Sequence, residues 1–220
     1  MSDDNFSEER KNLISIIRNQ GIYSENVLDA MSKVKRECFV DKSQSRYAYL
    51  NHPLPIGCNQ TISQPYTVAF MTQLLEIKKG DKALEIGTGS GYQAAILKEL
   101  GAEVYSVERI EPLYRRAKRN LEELKYDVIL KCGDGTLGWE EYAPYDAILV
   151  TAGSPGIPES LFEQLNINGV LVIPVGDNYS QEIYRILKYK DINGKISKDV
   201  VKFKEFVFVP LIGKEGWQYE

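Results

Sequence analysis

Hydrophobic positions near the N-terminus recur at helical spacing. Leu13, Ile14, Ile16 and Ile17 follow the polar run SEER, and Val27, Leu28, Met31 and Val34 follow Ser24. Apolar residues three and four apart share a helix face, so two amphipathic helices are predicted, with Ser24 placed to cap the second. Between Tyr47 and Leu75 the pattern loosens into a Pro- and Gly-punctuated loop that turns helical near Ser63. Pro65 suits a first helical turn there, and Val68, Met71, Leu74 and Leu75 supply an apolar face. From Lys82 short apolar runs alternate with helical ones. KALEIG, AEVYSVE, DVILKC, DAILVTA and GVLVIPV read as strands; GYQAAILKELG, EPLYRRAKRNLEEL and PESLFEQL read as helices. Apolar strands separated by helices predict a doubly wound α/β fold, its parallel sheet covered on both faces. The tail, EIYRILKYK and VVKFKEFVFVPL, alternates and is predicted to pair through the turn DINGK. No linker separates these pieces. The chain therefore reads as one domain over 1–220, with helices and a loop over 1–80, a sheet core over 81–176 and C-terminal strands over 177–220.

Composition changes this picture at one place. Of 220 residues 26% are charged, yet the 29 residues from Tyr47 to Leu75 contain no Asp, Glu, Lys or Arg. Asn, Gln, Thr, Ser, Gly and Pro are scattered through them, so they are no membrane span, and no apolar run anywhere approaches ~20 residues. The N-terminal MSDDNFSEERKN is polar and acidic, unlike a signal peptide. A net charge of −4 argues against a nucleic-acid partner held through phosphates. The basic run RRAKR reads as a solvated helix face. Three cysteines, Cys38, Cys58 and Cys132, are odd in number, far apart and match no metal spacing. They suggest a reducing cytoplasm and thiols acting as small hydrophobes. The single histidine, His52, excludes a His-rich metal site and reads as a polar loop residue before Pro53.

Candidate chemistry begins where ALEI runs into GTGSGYQ and then a helix. Gly87, Gly89 and Gly91 permit a tight turn and close approach of a ligand to a helix N-terminus, with Thr88 and Ser90 between them. The next strand ends in Glu108, where a carboxylate can accept hydrogen bonds from ribose hydroxyls. A dinucleotide fingerprint needs its third glycine one residue later, where Tyr92 stands. Glu85 would sit awkwardly beside a pyrophosphate but suits a cationic amino group. GDG at 133–135 adds Asp134, an acceptor for an adenine amine, with Gly135 beside it. Ammonium, ribose and adenine together describe S-adenosylmethionine. The competing reading has Glu108 and Asp134 only capping helices.

These residues lie in a wider pattern. LEIGTGSGYQAAIL, VYSVERI, GDGTLGW, YDAILVTAG, GVLVIPVG and FVPLIG stand in the order and spacing of the protein-L-isoaspartate O-methyltransferases. LPIGCNQTISQPYTVAFMTQLLEI resembles that family's own signature upstream of the general methyltransferase core. The likeness runs from about Arg18 to Gly213 and departs at Asn59, where the family usually has glycine. The resemblance implies a Rossmann-like class I S-adenosylmethionine-dependent fold with an N-terminal helical cap and a C-terminal strand pair. It implies methyl transfer from S-adenosyl-L-methionine, leaving S-adenosyl-L-homocysteine, to the carboxylate of L-isoaspartyl residues in damaged proteins, which initiates their repair. The family's active-site serine falls on Ser63, and Gln60, Thr61 and Ile62 fall on the peptide cleft. Tyr66 is either a cleft wall or a core aromatic. Asn best tolerates a left-handed backbone among non-glycine residues, so the loop is expected to keep its shape at Asn59.

That reaction accounts for the uncharged stretch. The nucleophile is already an anion at neutral pH, so no general base is required. Opposite charges partly neutralise each other in the transition state, which a dry wall of neutral donors favours over water. A nearby Lys would trap the carboxylate and a nearby Asp would repel it. Other methyltransferase classes fit less well. The Asp/Asn-Pro-Pro-aromatic motif of nucleic-acid amino-methyltransferases should follow the fourth strand, where VTAGSPG stands, and a metal-dependent enzyme would need acidic ligands there. A cofactor-binding regulator without catalysis is the remaining alternative, and the intact Ser63 and glycine loop argue against it.

Overall fold

The computed structural model describes residues 6–218. Helices α1 (Ser7–Asn19) and α2 (Glu25–Lys33) form the predicted N-terminal pair. Leu13 and Ile17 are buried on α1, as are Val27, Leu28 and Met31 on α2, while Ile16 is 47% exposed. Ser24 occupies the cap position of α2, but its side chain makes no capping hydrogen bond.

The loop expected after Tyr47 contains a small antiparallel hairpin, β1 (Leu54–Gly57) and β2 (Gln60–Ile62). Its two connecting residues, Cys58 (φ 51°) and Asn59 (φ 57°), both have positive φ, as the favoured two-residue hairpin turns require. The left-handed conformation expected at Asn59 is thus present. Helix α3 (Pro65–Leu75) starts with Pro65 at its first turn, but its N-cap is Gln64 and not Ser63. It is also more deeply buried than a one-faced helix: Thr67, Thr72 and Gln73 are buried alongside Val68, Met71, Leu74 and Leu75. The cause is its position, packed between α1 and α2 on one side and the sheet on the other.

The sheet is built from β3 (Lys82–Ile86), β4 (Glu103–Glu108), β5 (Ile129–Cys132), β6 (Tyr145–Val150), β7 (Leu165–Gly176), β8 (Gln181–Lys190) and β9 (Ile196–Phe206). Their spatial order is β5-β4-β3-β6-β7-β8-β9. The first five named in that order are parallel, and β8 and β9 join antiparallel at one edge. Helices α4 (Tyr92–Glu99), α5 (Glu111–Glu123) and the short α6 (Glu159–Glu163) connect the parallel strands. Alternate strand residues feed two cores. Ala83, Val104, Leu149 and Val172 pack with α1 to α5, while Leu84, Tyr105, Ile148 and Leu171 pack with α6, Trp139 and Leu211. Burial on both faces explains why these strands read as continuous apolar runs. The tail past β9 recrosses the sheet, bridging Gly153 to Pro210 and Ile212 to Trp217. No helix among the described residues is long and apolar enough to cross a membrane.

The cysteines differ from expectation: Cys38, Cys58 and Cys132 are all exposed. Each sits on a turn or an outer strand, where the backbone directs its side chain to solvent.

Candidate active site

Strand order reverses between β3 and β6, and a crevice must open where neighbouring connections leave in opposite directions. A cleft of about 1010 Å3, counted to its open mouth, lies there. One wall is the second hairpin strand and its continuation, Gln60, Thr61, Ile62 and Ser63. The floor is Glu85 with the loop Gly87–Ser90 and the end of β4, and the tail residues Val209 to Ile212 close the far side.

The glycine loop is fixed by geometry. Gly87 has φ 95°, and a Cβ there would collide with Thr151 Oγ1. That Thr151 hydroxyl donates to the carbonyls of Gly87 (2.8 Å) and Ile86 (3.0 Å), so the loop and β6 are held together where only glycine fits. Gly91, at φ 92°, caps α4 and packs on Leu121. Gly135 also lines the cleft, and a Cβ there would strike Ile86 at 2.5 Å.

Three groups on β3, β4 and the loop form one network. Ser106 Oγ donates to Glu85 Oε2 at 2.5 Å and lies 2.6 Å from Thr88 Oγ1. Glu85 is fully buried, and its Oε1 has no hydrogen-bond partner among the described residues; neither has the buried Ser90 Oγ. Burial, helped by the Glu108 charge, pushes the Glu85 carboxyl up to about 8 against the opposing Ser106 hydrogen bond. A buried acceptor without a partner is unfavourable unless a ligand completes it. Glu108 accepts from the backbone N–H of Gly89 (2.8 Å) and of Ile110 (2.8 Å), so it braces the glycine loop. Each of its oxygens retains acceptor capacity toward the cleft it lines.

Asp134 behaves otherwise. One oxygen accepts from Thr136 N–H (2.9 Å) and Thr136 Oγ1 (2.7 Å), and the other from Lys214 N–H (2.8 Å). The side chain caps a single 3-10 turn and ties down the C-terminal tail; Gly135, not Asp134, borders the cleft. Burial works to raise this carboxyl but is outweighed by the hydrogen bonds from Lys214 and Thr136 and by the charge of Arg109, so it sits below its ordinary value. The capping alternative therefore describes the bonds that Asp134 makes within the chain.

Ser63 lines the cleft two residues before α3, and its hydroxyl makes no hydrogen bond among the described residues. Its carbonyl accepts from Arg36 Nη2 at 2.8 Å. Tyr66 is not brought to the cleft: it is 8% exposed and stacks on Phe70, with Lys204 Nζ 4.6 Å from its ring. His52 is exposed, with Nδ1 2.9 Å from the Pro53 carbonyl, and does not border the cleft.

Sequence reasoning missed the cations. Arg116, in the run expected to be solvated, donates to the Ile56 carbonyl at 3.0 Å and pairs with Asp41, holding the hairpin in place. Arg185 donates to Leu74 O at 2.9 Å. These arginines reach the uncharged stretch from far along the chain, and no local signal marks them. Ser106 and the tail residues Val209 to Ile212 were also unassigned.

Comparison with known proteins agrees with this geometry. A protein-L-isoaspartate O-methyltransferase from Dictyoglomus turgidum is 50% identical over 214 residues, covering 97% of this chain and 95% of the relative. Another from Geobacter metallireducens is 50% identical over 218 residues, covering 98% and 99%. A solved protein-L-isoaspartate O-methyltransferase superposes with a TM-score of 0.82 at 31% identity, over 94% of this chain and 67% of the other. A Plasmodium falciparum protein described as a protein-L-isoaspartate O-methyltransferase, in complex with S-adenosyl-L-homocysteine, gives 0.78 at 27% identity over 92% and 98%. With the family's sequence profile matching residues 8–216, the chain belongs to the protein-L-isoaspartate(D-aspartate) O-methyltransferase family.

Proposed function

We propose that the cleft's two sides divide the work of a carboxyl methyl transfer. The protein is an S-adenosylmethionine-dependent protein carboxyl O-methyltransferase acting on L-isoaspartyl residues of damaged proteins. The floor fits the cofactor by its donor set. Glu85 presents a buried acceptor without a partner, suited to a cationic amino group, and Glu108 offers acceptor capacity for ribose hydroxyls. Gly87 and Gly89 bring backbone close to the same space without side chains. When bound there, S-adenosylmethionine supplies an electrophilic methyl group.

The chain's own residues then have limited tasks. Thr61, Ile62 and Ser63 present a neutral wall opposite the acidic floor, and that juxtaposition carries the reading. The Ser63 hydroxyl, without a hydrogen-bond partner among the described residues, donates to the isoaspartyl carboxylate and orients it, while Gln60 and Thr61 border the peptide. A carboxylic acid that titrates near its ordinary value of about 4 is ionised at neutral pH, so no residue must remove a proton. Ile62 and the tail residues Val209 and Leu211 give the cleft apolar surface, which favours exclusion of water once substrate and cofactor fill it. We further take the chain as one domain, supported by a hydrophobic core running from Leu13 to Ile183. A reducing, cytoplasmic setting is supported by three exposed cysteines, none of them in a disulfide among the described residues.

The test is labelled-methyl transfer to paired peptides that differ only in an isoaspartyl or a normal aspartyl residue. Methylation of the isoaspartyl peptide alone is expected. Equal labelling of both peptides, or of neither, would refute the assignment.

A further inference from the structure

Arg36 is fully buried, on a short 3-10 turn between α2 and the uncharged stretch. Its Nε donates to the Ala48 carbonyl at 2.9 Å and its Nη2 to the Ser63 carbonyl at 2.8 Å. The guanidinium lies 4.8 Å from the ring centroid of Tyr92, the first residue of α4 after the glycine loop. Nη1 is buried with no hydrogen-bond partner among the described residues, and the neutral Tyr92 phenol is the neighbour that most supports the cation. Among the described residues no carboxylate lies within ion-pair distance of it. The adjacent Glu37 turns instead to Tyr49 and Arg10. A wholly buried arginine among neutral groups is unusual, because burial penalises a charge that nothing neutralises. Burial pulls the guanidinium below its ordinary value, yet arginine remains a cation in proteins.

We infer that Arg36 is the fixed positive charge behind the isoaspartyl carboxylate, a positioning residue that holds Ser63 by its carbonyl and attracts the anion seated on the Ser63 hydroxyl. This rests on the functional reading above. Two features favour it. Ser63 lines the cleft and Arg36, bonded to its carbonyl, does not, so the cation acts through a low-dielectric interior without forming a salt bridge that would tie up the nucleophile. The same side chain also touches Ala48, Ser63 and Tyr92, joining the start of the neutral stretch, the candidate serine and the cofactor loop.

The test measures binding by calorimetry with S-adenosyl-L-homocysteine present, so no turnover intervenes. Two peptides are compared, one isoaspartyl and one with that carboxylate replaced by a carboxamide. The wild type should prefer the carboxylate by about tenfold or more. Arg36→Gln, which keeps an N–H donor but loses the charge, should abolish the preference while leaving carboxamide and S-adenosyl-L-homocysteine affinity within about threefold. Arg36→Lys should keep the preference. Equal weakening of both peptides by Arg36→Gln would show a brace only and overturn the inference, as would an unchanged preference. Should Arg36→Gln not fold, Arg36→Met is the second charge-free variant: loss of the preference with carboxamide affinity kept upholds the inference, and a retained preference overturns it. Methyl transfer by the wild type separates the two readings. A wild type that methylates isoaspartyl peptides without preferring to bind the carboxylate sinks only the role of Arg36. One that methylates none sinks the function.

Discussion

Glu85 and Ser106 stand directly opposite each other on β3 and β4, and the serine hydroxyl donates to the buried carboxyl at 2.5 Å. This single bond does not offset burial, so the Glu85 carboxyl sits at about 8 rather than 4.5. At pH 7 the free protein therefore holds a proton there, whereas a cationic amino group at Oε1 requires the carboxylate. Cofactor binding should release close to one proton near pH 7, and affinity should rise with pH and level off above about 8. The sign for folding is opposite. The folded state binds this proton more tightly than the unfolded one, so Glu85 increasingly disfavours the fold as pH rises from 4.5 toward 8. Calorimetry in buffers of different ionisation enthalpy counts the protons. No release between pH 6 and 8 would mean that Glu85 does not meet the cation.

Ser63 separates binding from orientation. Because Gln64 occupies the N-cap of α3 and the Ser63 hydroxyl has no partner among the described residues, Ser63→Ala should leave stability and cofactor affinity nearly unchanged. Losing one hydrogen bond to a charged carboxylate should lower kcat/KM by ~10- to 100-fold. An early-melting variant with normal turnover per folded molecule would make the serine structural.

How much of this was legible follows from the range of each interaction. The strands of the parallel sheet were visible because burial on both faces leaves an unbroken apolar run, and the glycine loop because strand, turn and helix are contiguous. Glu85 drew attention by its place before that loop, and it is buried at the cleft. The bonds that Asp134 makes within the chain were not legible because one partner, the Lys214 amide, lies 80 residues away. The neutral stretch was evident from what it lacks, but the cations that serve it were not. Arg36, Arg116 and Arg185 bond carbonyls 27, 60 and 111 residues distant, and a carbonyl acceptor exists at every residue, so sequence cannot single one out. The all-round burial of α3 likewise depends on α1 and α2 folding over it.

Two glycines with similar backbone angles should respond differently. A methyl group added at Gly80 (φ 92°) would have nothing within 4 Å, whereas one at Gly87 (φ 95°) would run into Thr151 Oγ1. Gly80→Ala should cost only backbone strain, about 1–2 kcal/mol, with cofactor affinity kept. Gly87→Ala adds a collision at the cofactor loop and should lose affinity as well. Thermal melts and cofactor titration of both variants decide, and equal cofactor affinity in the two would contradict the close approach at Gly87.

The only imidazole stands outside the cleft. With cofactor saturating, the rate of methyl transfer should therefore be flat from pH 6 to 8, and His52→Gln should not alter it. A general base would instead give a limb near ~6.5 that disappears in the variant. Initial rates at short times make the comparison, and such a limb would overturn the neutral-positioning mechanism.

Asp134 offers the sharpest distinction between touching the cofactor and shaping its site. Its carboxylate holds Lys214 N–H and Thr136, and Thr136 Oγ1 in turn accepts from Glu215 N–H at 3.0 Å. The knot anchors the tail whose Leu211 and Ile212 border the cleft. Asp134→Ala should therefore weaken the cofactor indirectly, and the Lys214 amide should lose its protection from hydrogen exchange. A direct contact with the adenine amine predicts something else. Affinity would fall for S-adenosyl-L-homocysteine but not for its analogue lacking the exocyclic amine, since only the former has a bond to lose. The tether predicts equal loss for both ligands. Acid should mimic the mutation: this carboxyl sits below its ordinary value, so its contribution is complete above the unfolded value of 3.8 and lost as pH falls through the lower folded one. Titrating both ligands into wild type and Asp134→Ala settles the matter. A loss confined to the amine-bearing ligand would return Asp134 to the adenine.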